Sequence, residues 1–475
     1  MKTKAVEREI FESSPVINAI FRLAVPTVVG QIILVIYNMA DTFFIGLTGS
    51  DAKITAATVC MPAFMFLSAI SNLFGVGGSS VIARAMGSHN HRRVRQASAF
   101  ACWGCFTLTL AYSLGTLLFS DVFINLLGGK APEAHQYAEN YLLITVALGG
   151  IFTAMSTLFA HLIRSEGRAL QASLGIMLGG VLNIVLDPLF MFVLLPEGQE
   201  IIGAAAATTL SNVISLIYFI CILRANRARS GLRFAPSREM LAPSVARDVL
   251  GAGLPACLMT LMENISYAVL DNLMSLYGVA SQAGLGVAKK INMLAHCIVR
   301  GMAQGVLPLI GYNFSSRNFK RMKETVLYSG ILSVGMAALC MLLDIVFSRP
   351  LVSIFIRSEG TSALESGALF LCVLCLGGPF SAWAYTVISF FQATGMGLRS
   401  FLLAILRKGV LDIPMMFLLN RVLRATGLVM ATPITDVLCS LVALVMFLRF
   451  LHAQSYQTEI VVAETDSGRD SDYEY

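Results

Sequence analysis

The chain has 475 residues, of which 56% are hydrophobic and 13% are charged, and its formal net charge is +6. Soluble globular domains carry about 25% charged residues, so this composition excludes an ordinary soluble protein and predicts a helical membrane protein. The excess positive charge does not indicate nucleic-acid binding, because the basic residues lie in short segments between long apolar runs.

These apolar runs recur from end to end and predict twelve transmembrane helices, each long enough to cross a bilayer of roughly 30 Å. Because twelve is an even number, both termini lie on one side. Basic residues are concentrated in the connecting segments on that side, so the positive-inside tendency predicts cytoplasmic termini. The predicted spans are 16–46, 54–84, 96–119, 137–160, 168–195, 201–223, 244–277, 280–311, 324–348, 364–390, 396–420 and 425–451.

The chain contains an internal repeat. Pro26 near the start of the first span matches Pro255 in the seventh, and three further anchor motifs follow in the same order at nearly the same offset. Six spans per half give the halves the same polarity, which predicts two parallel lobes with a substrate path between them. The predicted domains are an N-terminal lobe (1–223), a cytoplasmic inter-lobe loop (224–247), a C-terminal lobe (248–451) and a disordered acidic cytoplasmic tail (452–475).

The first span carries a single acid, Asp41. Asn38, Gln31 and Thr27 share its helix face, so most of one stripe is polar. An ionisable side chain inside a membrane helix is costly to insert, and its default interpretation is functional. The alternative is an acid near the membrane surface, because Asp41 lies only about 9 Å from the end of the span at 1.5 Å per residue.

The fifth span offers a partner for this acid. Asn183 and Asp187 lie four residues apart on one helix face, and Asp187 is about 12 Å deep, close to the depth of Asp41. Two such carboxylates, with a phenol such as Tyr37 nearby, can share a proton or bind Na⁺ through oxygen ligands. The structural alternative is that Asp187 only stabilises a kink at Pro188.

Charged residues also occur inside the spans of the second half. The seventh span carries Glu263, Tyr267 and Asp271 at four-residue intervals, and the eighth span adds Lys289 and Lys290. The pattern predicts either an ion pair between Glu263 and one of these lysines or a substrate or second ion site, and the sequence leaves both open. The other charges in the spans of this half, interpreted as mainly structural, are Arg300, Asp344, Asp412 and Asp436.

Signals for enzymatic chemistry are weak. No phosphate-binding glycine loop ends in Lys followed by Ser or Thr, which excludes an ATPase within this chain. The GVGGSS motif at 75–80 lacks that lysine, and its small residues predict close helix packing. The histidines form no metal-ligand spacing on one helix face, apart from His89 and His91 in a basic loop. We therefore expect no enzyme, no cofactor and no metal other than Na⁺ at Asp41 and Asp187.

Five motifs occur in an order and at spacings typical of one family. They are YNMADTFFIG at 37–46, GVGGSSVIARAMG at 75–87, LIRSEG at 162–167, LNIVLDPLF at 182–190 and QGVLPLIGYN at 304–313. In these motifs the chain resembles the multidrug and toxic compound extrusion (MATE) family, most closely its bacterial multidrug-efflux subgroup. The resemblance implies an all-α fold of two six-helix lobes forming a V. It also implies rocking between outward-open and inward-open states, with export of amphipathic, mostly cationic drugs in exchange for H⁺ or Na⁺.

The resemblance also implies where the coupling cation binds. It assigns an N-lobe site to Asp41, Tyr37, Asn183, Asp187 and Thr208. Glu263 matches an acid of another branch of the family, but that branch has a second acid in the tenth helix, where this chain has Ser381. The N-lobe site is therefore favoured. The residues expected to contact substrate or a second ion are Gln31, Asn38, Glu263, Tyr267 and Lys289.

The expected partners follow from the same resemblance. They are small organic cations or other amphipathic drugs and the lipid bilayer, without nucleic acid, for a monomer in the cytoplasmic membrane of a bacterium. The alternative is a flippase for lipid-linked precursors from the same superfamily. Such flippases usually have more helices and an arginine-rich cavity, and this sequence shows neither.

Overall fold

Helices account for nearly all of the structure, a computed structural model that describes residues 9–127, 132–196, 198–356 and 362–469 and has no strand among them. Two π-helical segments, Leu143–Leu148 and Phe190–Leu194, extend α5 and α7 of the first half. The helices of this half are α1 (Val16–Leu47), α2 (Asp51–Gly87), α3 (His91–Leu118), α4 (Ser120–Leu127), α5 (Pro132–Leu142), α6 (Gly150–Ser165), α7 (Ala169–Leu189) and α8 (Glu200–Ala225).

The second half repeats this order. A 3₁₀ turn, Arg238–Leu241, lies in the loop between the halves, and a third π-helical segment, Leu406–Leu411, joins α15 to α16. The helices of this half are α9 (Pro243–Ser275), α10 (Val279–Ser315), α11 (Phe319–Val346), α12 (Ser348–Ser353), α13 (Ser362–Cys375), α14 (Gly378–Ala393), α15 (Gly397–Ile405) and α16 (Asp412–Arg469).

Twelve membrane spans follow from the helix lengths and breaks in the described chain. Nine segments are long and apolar enough to cross a membrane, and two bent pairs, α5–α6 and α13–α14, add two more. One of the nine, Gly397–Ala453, is interrupted by non-helical backbone at Arg424. The chain reverses there, because Thr432 donates a hydrogen bond to Asp412 at 3.2 Å, which a continuous helix would place about 30 Å away. The predicted all-α class and count of twelve spans are confirmed.

The predicted repeat has the same local geometry in both halves. Asn90 caps α3 by accepting a hydrogen bond from the backbone N–H of Arg93 at 2.9 Å. Asn318 caps α11 in the same way, from the N–H of Arg321 at 3.1 Å. A side-chain oxygen at this position satisfies one of the N–H groups that have no partner within the helix. The matching Asn motifs are thus the starting signals of equivalent spans.

The two lobes approach each other most closely at glycines. A Cβ atom on Gly253 of α9 would lie 1.7 Å from the carbonyl oxygen of Leu73 on α2, and one on Gly77 would lie 2.1 Å from that of Val249. A Cβ on Gly305 of α10 would lie 2.6 Å from the Cα of Ala24 on α1. Only glycine permits such backbone contact, so the packing role predicted for the small residues at 75–80 is confirmed for Gly77.

Among the described residues, side-chain hydrogen bonds between the lobes lie between the middle of the spans and one membrane face. We call the membrane face that holds both ends of the chain the terminal face and the other the opposite face. The hydrogen bonds farthest from the terminal face join Gln31 to Gln304 at 3.3 Å and Asn72 to Thr260 at 3.0 Å. Among the described residues, all other side-chain hydrogen bonds between the lobes lie nearer the terminal face. The lobes therefore separate toward the opposite face.

The inter-lobe loop packs against the N-lobe. The Trp103 indole donates a hydrogen bond to the Phe234 carbonyl at 2.9 Å, and Glu166 accepts one from the N–H of Gly231 at 2.7 Å. Arg92 donates two hydrogen bonds to Glu239, at 3.0 and 3.1 Å, and these lower the pKa of the Glu239 carboxyl below its ordinary value. The loop is thus bound along its length rather than extended into solvent.

The last helix is longer than the sequence predicts. Its backbone is helical to Arg469, which differs from the disordered tail predicted for 452–475. The physical reason is that neither glycine nor proline, the residues that end helices, occurs between 434 and 467. No side chain beyond Ala453 is described, and 470–475 lies outside the described residues. The domain limits at 223 and 247 stay predictions.

Candidate cation site and central cavity

A cavity lies between the lobes and opens toward the opposite face. It contains about 1750 Å³ of empty space, including the part open to solvent. The hydrogen-bonded pair Gln31 and Gln304 lines it, and methionines such as Met259 and Met293 line the wall of the C-lobe. Adaptable apolar side chains of this kind suit ligands of varied shape. Six predicted site residues line the cavity: Gln31, Tyr37, Asn38, Asn183, Thr208 and Glu263.

The predicted N-lobe site is assembled from three helices. Asn183 of α7 donates hydrogen bonds to the Oδ1 atom of Asp187 and to the Thr208 hydroxyl of α8, both at 3.1 Å. Asp41 of α1 lies close enough to Asp187 for the two carboxylates to interact electrostatically. Both acids sit behind Tyr37 and Asn183, which face the cavity. The structure therefore brings together all five residues predicted for the coupling cation.

Three oxygen atoms of this group have no hydrogen-bond partner. They are Asp41 Oδ1, Asn183 Oδ1 and Asp187 Oδ2, and Asp187 is fully buried. No Lys or Arg forms an ion pair with either acid among the described residues. Buried acceptor oxygens without a donor are costly, so this group is chemically suited to take up a proton or a small cation.

Sequence reasoning missed one member of this site. The Tyr141 hydroxyl lies close enough to the Asp41 carboxylate to interact with it electrostatically. Tyr141 is in α5, immediately before the π-helical segment Leu143–Leu148, and π-helical segments are frequent at functional sites. No sequence pattern linked Tyr141 to Asp41, because the two residues are brought together only when the spans pack.

The C-lobe acid Glu263 has a different partner from the one predicted. Arg300 of α10 donates a hydrogen bond to Glu263 at 2.8 Å, and Lys289 pairs with Asp271 at 2.6 Å. The predicted pair between Glu263 and Lys289 or Lys290 is therefore wrong. The reason is the antiparallel register of α9 and α10, which places Lys289 opposite Asp271, two turns nearer the opposite face than Glu263. Arg300, interpreted as mainly structural, lines the cavity.

Two buried bases of the C-lobe did not enter the sequence predictions. Arg407 donates hydrogen bonds to Asp436 and to the Ser381 hydroxyl, both at 2.7 Å. Lys408 donates one to Asp412 at 3.0 Å. The signal was two adjacent bases in the middle of the span predicted at 396–420. Asp412 and Asp436, interpreted as structural, thus each have a buried basic partner.

Two residues predicted to contact substrate lie in this charged network rather than in the cavity. The Tyr267 ring lies between two ammonium groups, 5.1 Å from that of Lys289 and 5.5 Å from that of Lys408. Neither Tyr267 nor Lys289 lines the cavity. Because the Lys289 ammonium is paired with Asp271 and the Tyr267 ring contacts two ammonium groups, both residues are placed to stabilise the C-lobe.

A group of metal-ligand side chains lies outside the cavity. Asp121, His135 and Glu139 place one ligand atom each within 4.8 Å of one another, and Asp121 is exposed. His135 and Glu139 share a face of α5, a His–carboxylate spacing that the prediction about the histidines did not cover. Exposed carboxylates often lie together without a metal, and we assign no metal to this group.

Comparison with known proteins identifies the family. The MatE family model matches residues 26–189 and 255–418, one match in each half of the chain. This protein belongs to the MATE family. The two matches fall on equivalent parts of the internal repeat, and the family resemblance of the sequence motifs is confirmed. The MATE protein described here is a multi-pass membrane transporter rather than an enzyme.

Curated relatives extend over nearly the whole chain. The multidrug export protein MepA of Staphylococcus aureus (strain MRSA252) is 29% identical over 440 residues, covering 92% of this chain and 94% of its own. The MepA protein of Staphylococcus saprophyticus is 28% identical over 439 residues, with the same shares.

Solved structures have the same fold. A multidrug resistance MATE family transporter of the MOP superfamily, in an outward-facing conformation, superposes with a TM-score of 0.87 at 24% identity, covering 94% of this chain and 98% of that one. A MOP superfamily transporter from Pyrococcus furiosus has a TM-score of 0.83 at 24% identity, with the same coverage. These likenesses confirm the two-lobed MATE fold.

Proposed function

We propose that this MATE protein is a secondary antiporter that exports amphipathic, mostly cationic compounds in exchange for H⁺ or Na⁺. Its relatives from Staphylococcus are named multidrug export proteins, which supports the substrate class. The cavity supports it as well, because methionine and aromatic side chains line it together with many uncharged polar side chains, which suits compounds that are both apolar and polar. The protein acts as a monomer in the cytoplasmic membrane of a bacterium.

The observation that carries the coupling proposal is the unpaired acid pair of the N-lobe. Asp41 and Asp187 interact with each other and have no basic partner among the described residues, whereas Glu263, Asp412 and Asp436 of the C-lobe each have one. Two neighbouring carboxylates in a membrane interior must be neutralised, and a proton or Na⁺ supplies the missing positive charge. Carboxylate, amide and hydroxyl oxygens are the ligands that Na⁺, a hard cation, prefers.

The direction of export follows from the placement of the cavity. The positive-inside tendency assigns the terminal face to the cytoplasm, so the cavity opens outward. In this state protons or Na⁺ reach the N-lobe site from outside. Their binding neutralises Asp41 and Asp187 and removes the attraction for a cationic drug, which leaves to the outside. Closure toward the opposite face and opening toward the terminal face then release the H⁺ or Na⁺ into the cytoplasm and expose the cavity to new substrate.

The alternative function, a flippase for lipid-linked precursors, has less support. Arg300 is the one arginine among the described residues that line the cavity, and it is paired with Glu263. An anionic pyrophosphate headgroup would require several basic side chains.

Transport in proteoliposomes tests the proposal. Purified protein is reconstituted, and ethidium movement is followed under separate H⁺ and Na⁺ gradients. Asp41→Asn should abolish gradient-driven ethidium transport, because the neutral amide can no longer exchange a proton or hold Na⁺. Asp344→Asn is the matched control, since Asp344 is a buried acid without a basic partner that does not line the cavity. Full ethidium transport by Asp41→Asn under both gradients would contradict the coupling role.

A further inference from the structure

The wall of the C-lobe carries an arginine with unused hydrogen-bond donors. Arg300 uses its Nη2 group for Glu263, and its Nε–H is buried without a partner, so a ligand can reach only the Nη groups. A guanidinium has five N–H donors, and its planar fork matches a carboxylate. The Arg300 side chain remains 30% exposed and lines the cavity, so a ligand can reach it.

Charge on this wall is already balanced. Glu263 and Arg300 are the two described lining residues that carry a full charge, and they neutralise each other at 2.8 Å. A cationic group therefore gains little binding free energy near Glu263, because Glu263 is already paired with Arg300. An acceptor group gains more, because it can use the guanidinium N–H groups that Glu263 leaves free.

The N-lobe wall has the opposite character. Its atoms without partners are acceptors, Asn183 Oδ1 in the cavity wall and Asp41 Oδ1 and Asp187 Oδ2 behind it. Arg300 lies about 6 Å nearer the opposite face than Gln304, since the two are four residues apart on α10. The cavity thus offers donors on the C-lobe side and acceptors on the N-lobe side.

We infer that Arg300 is the binding point for the carboxylate of amphoteric substrates, whose cationic end faces the N-lobe. This inference rests on the proposed export function and names a substrate class within the same cavity. The carboxylate would accept hydrogen bonds from the free edge of the guanidinium, with Glu263 holding the guanidinium plane in position. Met259 and Met293 provide apolar contact for the body of the molecule.

A matched pair of dyes tests this inference. Rhodamine 110 carries a carboxylate and a cationic xanthene, and rhodamine 123 is its methyl ester, a monocation of nearly the same shape. Binding of each dye to the purified protein in lipid nanodiscs is measured by fluorescence anisotropy at pH 7. The result is expressed as the ratio of the Kd for rhodamine 110 to the Kd for rhodamine 123, so that general losses of binding cancel.

Two variants remove the guanidinium without leaving a buried charge unpaired. In the double variant Glu263→Gln/Arg300→Gln, both charged groups are replaced by neutral amides. In Arg300→Lys, the ion pair with Glu263 persists, but the planar set of guanidinium N–H donors is lost. The double variant should raise the Kd ratio about 10-fold or more, because a charge-assisted hydrogen bond to the carboxylate is lost. Arg300→Lys should raise it less. Arg349→Gln, which removes an exposed base paired with Glu365, should leave the ratio unchanged.

The outcomes separate this inference from the proposed function. If rhodamine 123 binds to the wild type and to all variants while the Kd ratio stays constant, Arg300 does not bind carboxylates. If the wild type binds neither dye and transports no ethidium in proteoliposomes, the export function itself is wrong.

Discussion

Buried carboxylates of the two lobes have different partners. Asp412 accepts hydrogen bonds from the Lys408 ammonium at 3.0 Å and from the Ser266 hydroxyl at 2.6 Å, whereas Asp187 accepts one from the Asn183 amide. An ion pair offsets the desolvation cost of both its members, and removing one member leaves the other charge uncompensated. The paired acids Asp412 and Asp436 therefore contribute to the stability of the fold, while Asp41 and Asp187 bear the desolvation cost unless a cation binds.

This difference predicts opposite effects on stability. Lys408→Met should destabilise the folded protein by about 3–5 kcal/mol, because Asp412 is left buried without a counter-charge. Asp187→Asn should leave the stability unchanged or raise it, since it removes a charge that has no basic partner. The measurement is the free energy of unfolding of each purified variant in detergent. Equal losses in the two variants would show that both lobes compensate their acids in the same way.

At the scale of helices, close crossing depends on glycines. Gly253 of α9 lies against the backbone of α2, where a Cβ would approach the Leu73 carbonyl oxygen to 1.7 Å. Gly251, two residues earlier on the same helix, would have no atom within 4 Å of its Cβ. Both glycines lie inside α9, but only Gly253 lies against the backbone of a neighbouring helix.

Substitution separates the packing role from helix propensity. Gly253→Val should force α2 and α9 apart and reduce the yield of folded protein strongly, because backbone atoms cannot move aside as a side chain can. Gly251→Ala should be tolerated or should stabilise the helix by about 0.5–1 kcal/mol. Size-exclusion profiles of the solubilised variants measure the folded fraction. A normal profile for Gly253→Val would contradict the close crossing.

The contacts within and between helices also show which parts of the site could be predicted from the sequence alone. Asn183 and Asp187 could be assigned to one site because their spacing along a single helix fixes a shared face. The partner of Glu263 could not be assigned, because the register between α9 and α10 depends on the turn that joins them. Tyr141 could not be assigned to Asp41 for a similar reason, since a bent span places it there. Spacing predicts contacts within a helix, and packing decides contacts between helices.

At the scale of the whole molecule, the lobes meet near the terminal face and separate toward the opposite face. Met293 is exposed in the cavity wall, nearer the opposite face than Gln31 and Gln304. Leu339 of α11 is exposed to a similar degree but does not line the cavity. In a membrane, water should reach the first position and lipid the second.

Thiol labelling measures this difference. In a background without the ten native cysteines, Met293→Cys should react with a membrane-impermeant maleimide added from outside, and ethidium should slow the reaction. Leu339→Cys should react slowly with or without ethidium, because lipid covers it. Labelling of Met293→Cys from the cytoplasmic side alone would mean that the cavity opens in the other direction.

The bound inter-lobe loop has a mechanical consequence. Arg93 of α3 donates a hydrogen bond to Ser244 at 3.1 Å and pairs with Asp248, so the first turns of α9 are fixed to the other lobe. Rotation of the C-lobe relative to the N-lobe therefore cannot be accommodated by movement of the inter-lobe loop. Instead, α9 itself must bend. Pro255 lacks a backbone N–H and weakens the helix there. The C-lobe therefore pivots about the start of α9, and the rest of this helix moves together with the C-lobe.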